Sequence, residues 1–406
     1  MTYSFLRITS FYKDYLKFFY QNYSYNNKKY QEIKSSIYQD CFAQSNFYEK
    51  YLQALGVSVD SVILNDAILQ HQWAKENNLK ITKYWQKEIL YAQIKKFKPE
   101  VLYFDDHIFS GEEISRLKSD FSFIKLIIGF CCSPFKNLFS VLGKYDFLLT
   151  CTPCFVKEFK KYNIKSYLMY HAFEPEILKN VSANWEDREI DLCFIGQFNP
   201  TQDFHKQRIK LLNQLLDQDV NLALFGNLPK ISKKGFIRQL IYYSILFPSK
   251  LDFVRKIINN SDIFCSIINE YQEKKKLITP IFKQKLLPSI YGLAMFDKLA
   301  NTKIGLNSHI DISGCCAGNI RLFEVTGMGT LLLTDKKENM KDLFVEGKEV
   351  VLYESFDDAM EKIKWLLDNP QKMKEIALAG QKKTLAEHNY QKRVQFLHRL
   401  ILRKLI

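Results

Sequence analysis

The sequence predicts an α/β protein of two parallel-sheet domains facing one another across a cleft, with extra helices at the N-terminus and a helical insert in the second domain. Three observations carry that reading. The 406 residues are 47% hydrophobic and 25% charged, a soluble globular balance in a chain too long for one ordinary core. Short apolar runs such as VLYFDD, FIKLIIGF and YDFLLT alternate with segments of helical spacing, the pattern of buried strands covered by helices. The same rhythm restarts after the polar stretch NVSANWEDRE, so a second sheet is expected beyond it.

The elements follow in chain order. The first sixty residues are rich in Tyr, Phe and Lys at helical spacing, as in Tyr38 and Phe42 or Tyr48, Tyr51, Leu52 and Leu55, with Gly56 closing the last helix. They read as helices that dock aromatic faces onto the rest. A strand VSVDSVILN, a helix through Gln70, Trp73 and Ala74, and a helix ITKYWQKEILYAQIKKF stopped at Lys98-Pro99 lead to the strand VLYFDD. FIKLIIGF, YDFLLT and KSYLMY complete a first domain over residues 1–175, and a polar linker lies near 172–190.

The second domain, 176–387, opens with strand IDLCFIG, helix FHKQRIKLLNQLLDQ and strand VNLALFG, then passes through a basic helical insert at 230–288. KIGLNSH, NIRLFEVTGMG, TLLLTD, EVVLYES and a helix from Phe356 to Leu367 finish it. Residues 388–406 read as a helix packing back towards the first domain.

Several classes are excluded. No window holds the roughly 18 uninterrupted apolar residues of a membrane span; Lys125, Pro248 and Lys250 break the best runs. Lys13 and Asp14 stand where a signal peptide would be apolar, which predicts a cytoplasmic protein. Nine cysteines, with adjacent pairs at Cys131/Cys132 and Cys315/Cys316, suit reduced thiols better than a disulfide framework. Cys151-Thr-Pro-Cys154 resembles a thioredoxin-type redox spacing, but two small residues at a strand-end turn is the preferred reading. A zinc site is not expected, since no second CxxC completes a tetrahedron.

The net charge of +14 points to an anionic partner. Residues 230–288 hold twelve Lys/Arg and four Asp/Glu, so +8 of it sits in one stretch interleaved with Phe, Ile, Leu and Tyr. Such a stretch could lie on an anionic bilayer surface, or it could be ordinary amphipathic helices with solvated faces. Nucleic acid is not expected, because no recognition motif accompanies the charge.

Chemistry should sit at the carboxyl ends of the strands. Gly196 and Gly226 end two strands of the second domain, and the loop after Gly196 runs into a helix on which His205 and Arg208 share a face beside a potential anion. In SHIDISGCCAGNIRLFEVTGMG the residues Gly314 and Gly318 free a loop, Asn319 to Arg321 open a helix, and Glu324 follows one turn on. An Arg there suits a diphosphate, and the carboxylate suits two ribose hydroxyls. The plainer alternative is a surface salt bridge between Arg321 and Glu324.

GNIRLFEVTGMGTLLLTDKKENMKDLFVEGKEVVLYES, followed by AGQKKTLAEHNYQKRV, resembles the C-terminal domain of the spore-maturation (CgeB-like) glycosyltransferases, a group within the GT-B superfamily. PSIYGLAMFDKLANTKIGLNSHID fits the same family's lead-in, and KPEVLYFDD with YDFLLTCTPCFVKEFKKYNIKSYLMYHAFEPEIL fits its first half more loosely. The resemblance implies transfer of a sugar from a nucleotide donor, held by the second domain, to a glycan or lipid-linked glycan acceptor in cell-envelope polysaccharide synthesis.

It carries Glu324 over as the ribose-binding carboxylate and Gly318, Asn319 and Arg321 as donor-loop residues. Retaining members of the wider superfamily often have a Glu eight positions earlier, where this chain has Cys316; His309 and Asp311 could substitute. Arg208 and Arg321 would neutralise the leaving diphosphate without a metal, and no cofactor is expected beyond the nucleotide sugar. For a base, VLYFDDH delivers Asp105, Asp106 and His107 to the cleft, where adjacent carboxylates should point to opposite faces. His171 reads as a hinge or packing residue. A sugar-nucleotide epimerase and a non-catalytic envelope or coat protein are the alternatives, and the basic stretch argues against the first. At the membrane's inner face the same stretch would bring the enzyme to lipid-linked acceptors.

Overall fold

The computed structural model describes residues 2–106, 109–133, 135, 138–182, 184–200, 205–218, 220–228, 277–310 and 314–406. The first sheet is built from β1 (Ser4–Thr9), β2 (Ser58–Ile63), β3 (Val101–Phe104), β4 (Leu126–Phe130), β5 (Phe147–Thr150) and β6 (Ser166–Leu168), in the order β2-β1-β3-β4-β5-β6. The second contains β7 (Ile190–Ile195), β8 (Leu222–Phe225), β9 (Leu286–Leu287), β10 (Thr302–Asn307), β11 (Leu331–Asp335) and β12 (Val351–Tyr353), in the order β12-β11-β10-β7-β8-β9. Pairing among these strands is parallel throughout. The predicted α/β class with two parallel sheets is therefore what the chain adopts.

Chain direction across each sheet reverses once, between β1 and β3 in the first and between β7 and β10 in the second. Such reversals open a crevice beyond the strand ends, because the loops leave in opposite directions. The residues at these two points are Thr9-Ser10 beside Asp105-Asp106, and Gly196 beside Ser308-His309.

One element was not visible in the periodicity. Ser4–Thr9 lies in the stretch read as helical, and the structure makes it the strand next to the first crevice. Phe5, Leu6 and Ile8 are all buried, so the strand is covered on both faces and lacks the alternation that would have marked it. Tertiary burial decides its state. The helices after it do dock by aromatic faces: Tyr15 stacks on Phe42 at 3.8 Å between ring centres, and Tyr291 of the second domain meets Tyr15 edge-on at 5.8 Å.

Side chains of the first sheet alternate between two cores, as the pleat requires. Leu6, Ile8, Leu102, Phe104 and Leu148 pack under the outer helices. Phe5, Val101 and Leu149 instead share a core with Phe323, Val325, Tyr390 and Val394, so the two domains are joined by continuous apolar packing. Gly327 makes this possible on the helix Arg321–Gly327, since a Cβ there would collide with the Phe173 ring. The C-terminal helix Tyr390–Leu405 lies against the helix Phe47–Ala54 of the first domain, with Phe47 and Tyr390 rings 4.8 Å apart.

Between the domains, Phe173 donates its N–H to His388 O at 2.9 Å and accepts from Tyr390 N–H at 3.2 Å. The buried His388 is held as a neutral ring: Nε2 lies 2.9 Å from Leu343 O, and Nδ1 lies 3.0 Å from an Arg393 Nη2 donor. Burial first, and the Arg393 charge with it, pushes its pKa down from 6.5 to about 4. A depressed folded-state pKa means that the unfolded chain takes up the proton first, so this contribution is present above pH 6.5 and lost as pH falls towards 4. We expect His388→Gln to flatten the acid limb of stability by on the order of 2 kcal/mol, read from denaturant midpoints across that range; an unchanged acid slope would rule the residue out as its cause.

Among the described residues, no helix is long and apolar enough to cross a membrane. Residues 230–276 of the basic insert, together with His107 and Asp311, lie outside the described residues. The end of the insert supplies the helix Pro280–Lys285 and the edge strand β9.

Candidate functional site

At the second crevice, Arg208 reaches from the helix Lys206–Leu216 to the opposite lip. Its Nε donates to Ser308 O at 3.0 Å, and its Nη1 lies 3.4 Å from Gln197 O. The guanidinium therefore stitches the loops after β7 and β10 together and stacks over Phe194 at 5.5 Å. His205, at the start of that helix, has its pKa lowered to about 4, by burial first and then by Arg208. The neighbouring glycines make room for protein. A Cβ on Gly226 would strike Gly196 O and the Phe198 ring, and one on Gly318 would come within 2.5 Å of Cys151 O in the first domain.

The β10 and β11 ends carry a second group of polar side chains. Asp335 Oδ1 accepts from the His309 backbone N–H at 2.9 Å and lies 2.7 Å from His309 Nδ1. Burial alone would raise the Asp335 pKa, but the His309 hydrogen bonds and charge, aided by Lys337, bring it down to about 2. Asn319 donates its Nδ2 to Asn307 Oδ1 at 2.7 Å, and Asn307 donates in turn to Thr334 Oγ1 at 2.8 Å. His309 Nε2 and Asn319 Oδ1 are buried without a hydrogen-bond partner among the described residues. Buried polar atoms of this kind ordinarily have partners.

Arg321 and Glu324 pair across one helical turn, with Nη1 2.9 Å from Oε2. The surface salt bridge is thus half right: the pair exists, but Glu324 is only 4% exposed. The carboxylate is buried and its Arg321 partner partly so, at the domain junction. Facing it from the first domain is Tyr12, which is 60% exposed and so open to solvent. Its phenol pKa is nevertheless raised, by desolvation first and then by the Glu324 and Asp106 carboxylates, with Arg321 opposing. Tyr12 of the first domain thus lies within electrostatic reach of the Arg321–Glu324 pair of the second.

The paired aspartates part company as strand geometry requires. Asp105 Oδ2 takes the Nε of the fully buried Arg7 at 2.7 Å. Asp106 turns the other way, towards Ser10, and burial raises its pKa, with the Asp105 charge adding to the rise and the Ser10 hydrogen bond opposing it. Asp105 is therefore bound into the fold, and Asp106 is the carboxylate beside Tyr12. Sequence reasoning missed Arg7, Ser10 and Tyr12 altogether, because all three belong to β1 or follow it directly.

The cysteines also depart from expectation. Cys154 is disulfide-bonded to Cys316 across the domains, at a sequence separation of 162, so the all-reduced reading is corrected for this pair. Local spacing carries no information on a partner that far along the chain. Cys316, eight positions before Glu324, is the second-domain partner in this link.

Two Rossmann-type sheets with their strand-end loops opposed, sharing a core at the junction, define the GT-B fold. Residues 249–399 match the family described as glycosyl transferase-like. Among solved structures, the chain is similar to a glycosyltransferase from Rickettsia africae, at 11% identity and a TM-score of 0.57, covering 100% of this chain and 99% of that one. It is also similar to Anabaena HepE in complex with UDP and glucose, at 8% identity and a TM-score of 0.57, covering 99% and 100%. Sucrose-phosphate synthase from Thermosynechococcus elongatus aligns at 10% identity and a TM-score of 0.56, over 99% and 98%. No curated protein matches the chain.

Proposed function

We propose that this protein is a glycosyltransferase, of the spore-maturation type, that takes a nucleotide sugar in its second domain and an acceptor against its first. The reading is supported by the Arg321–Glu324 pair, which lies within electrostatic reach of Tyr12, as Asp106 does from the first domain. Glu324 accepts the ribose hydroxyls, Arg321 meets the diphosphate, and His309 Nε2 and Asn319 Oδ1 supply the remaining polar contacts. Asp106, its pKa raised by burial, is the group suited to take a proton from the acceptor hydroxyl. UDP in the HepE complex makes UDP-sugars the first donors to try.

Charge on the departing diphosphate is balanced by arginine in this proposal, so turnover is expected without added Mg2+ or Mn2+. The purified protein should release free nucleotide slowly from one UDP-sugar, and that donor should raise stability by about 2.7 kcal/mol at 100 times its dissociation constant. Absence of both across a set of nucleotide sugars, or release only with added metal, would count against it. We further propose that the acceptor is a glycan or lipid-linked glycan at an anionic membrane face, reached through the +8 stretch 230–288. Co-sedimentation with anionic vesicles that disappears at high salt is the expected result, and equal binding to neutral vesicles would refute it.

A further inference from the structure

Three loops at the carboxyl edge of the first sheet bring together two thiols and an imidazole that the proposed transfer does not use. Cys151 follows β5 directly, Cys132 lies two residues beyond β4, and His171 lies three beyond β6. These strands are neighbours in the sheet, so parallel pairing places the three side chains side by side. Their ligand atoms all lie within 4.8 Å of one another. We propose that Cys132, Cys151 and His171 bind one zinc-like divalent cation.

The donor chemistry selects the class of metal. Two sulfurs and a ring nitrogen without a carboxylate suit a borderline-soft cation such as Zn2+ and are poor partners for Mg2+ or Ca2+. In a tetrahedral site such atoms sit about 3.5 to 3.8 Å apart, so the cluster needs only small side-chain rotations to close. Neither thiol is in a disulfide. Water completes the fourth position.

Surrounding groups match those that orient metal ligands. The Cys151 backbone N–H donates to Cys132 Sγ at 2.7 Å, and the Thr150 and Thr152 hydroxyls lie 3.7 Å from the Cys132 and Cys151 sulfurs respectively. Hydrogen bonds of this kind hold the two sulfurs in place. A second CxxC is unnecessary: only Cys151 of the CxxC takes part, and the fold supplies the other two ligands from adjacent strand ends.

Position gives the site its consequence. Cys151 O is the atom against which Gly318 of the second domain packs, and His171 O accepts from Arg393 Nε of the C-terminal helix at 3.3 Å. A cation holding both residues therefore steadies two of the contacts that join the domains.

Co2+ is the probe, because thiolate ligation gives it a charge-transfer absorption that oxygen ligation does not. Full-length reduced protein, stripped with chelator and desalted, is titrated as wild type and with serine at Cys154, Cys315 and Cys316, which removes the other sulfur cluster. Both are expected to take up one equivalent with that absorption, to release it to Zn2+, and to melt at higher temperature with Zn2+ but not with Mg2+. Cys132→Ser, Cys151→Ser and His171→Asn should each weaken uptake by more than about tenfold, with circular dichroism checking the fold. No absorption in the wild type overturns the proposal without reference to any variant. So does a signal lost in the triple-serine protein while it stays folded, or one unchanged in folded Cys132→Ser.

Discussion

Glu324→Ala is expected to lower kcat/KM on a UDP-sugar donor by on the order of 10²-fold, the equivalent of about 2 to 4 kcal/mol for a charge-assisted contact. The residue is 4% exposed and lies 2.9 Å from Arg321, so the alanine variant should also melt at lower temperature. Glu324→Gln separates the two effects, since it keeps the volume and one acceptor but loses the charge. Arg321→Ala should behave like the alanine variant. Wild-type kcat/KM in a well-folded Glu324→Gln protein would remove Glu324 from the donor site.

Arg7→Met should have the largest effect on stability, on the order of 3 to 5 kcal/mol. The guanidinium is fully buried and donates to Asp105 Oδ2 at 2.7 Å, Ser45 O at 2.6 Å and Gln44 Oε1 at 3.2 Å, while Glu49 Oε2 lies 3.4 Å away. Removing it strands two carboxylates away from water, one of which already has its pKa raised by burial. Neutralising those two as well, with Asp105→Asn and Glu49→Gln, should recover part of the loss, because the uncompensated charge is what destabilises. Urea unfolding of the single and triple variants is the measurement, and a loss below about 1 kcal/mol in the single variant would show that the network is dispensable. Because Arg7 ties β1 to the residue beside Asp106, donor release should suffer with it.

Much of the architecture was legible because it depends on local pattern. Apolar runs such as those at Val101–Phe104 and Leu331–Asp335 are strands whose neighbours in sequence are helices, and period and punctuation suffice to find them. Gly56 at φ +80 and Gly329 at φ +68 sit where a turn needs left-handed backbone, which a glycine announces. The grouping of Asn319, Arg321 and Glu324 was legible for a different reason: they are close in sequence, so one segment displays them together.

What the sequence by itself determined is the class of fold, the restart of the second sheet and the short-range constellations on the helix Arg321–Gly327. The tertiary structure decided β1, the parting of Asp105 from Asp106, the Cys154–Cys316 link and the grouping of Cys132, Cys151 and His171. Each of these joins residues from separate strands or separate domains. Periodicity reports how a residue stands to neighbours within a turn or two, whereas the choice of strand neighbours is set by burying apolar faces over the whole sheet. Chemistry assembled from adjacent strand ends therefore becomes visible only once the order of the strands is known.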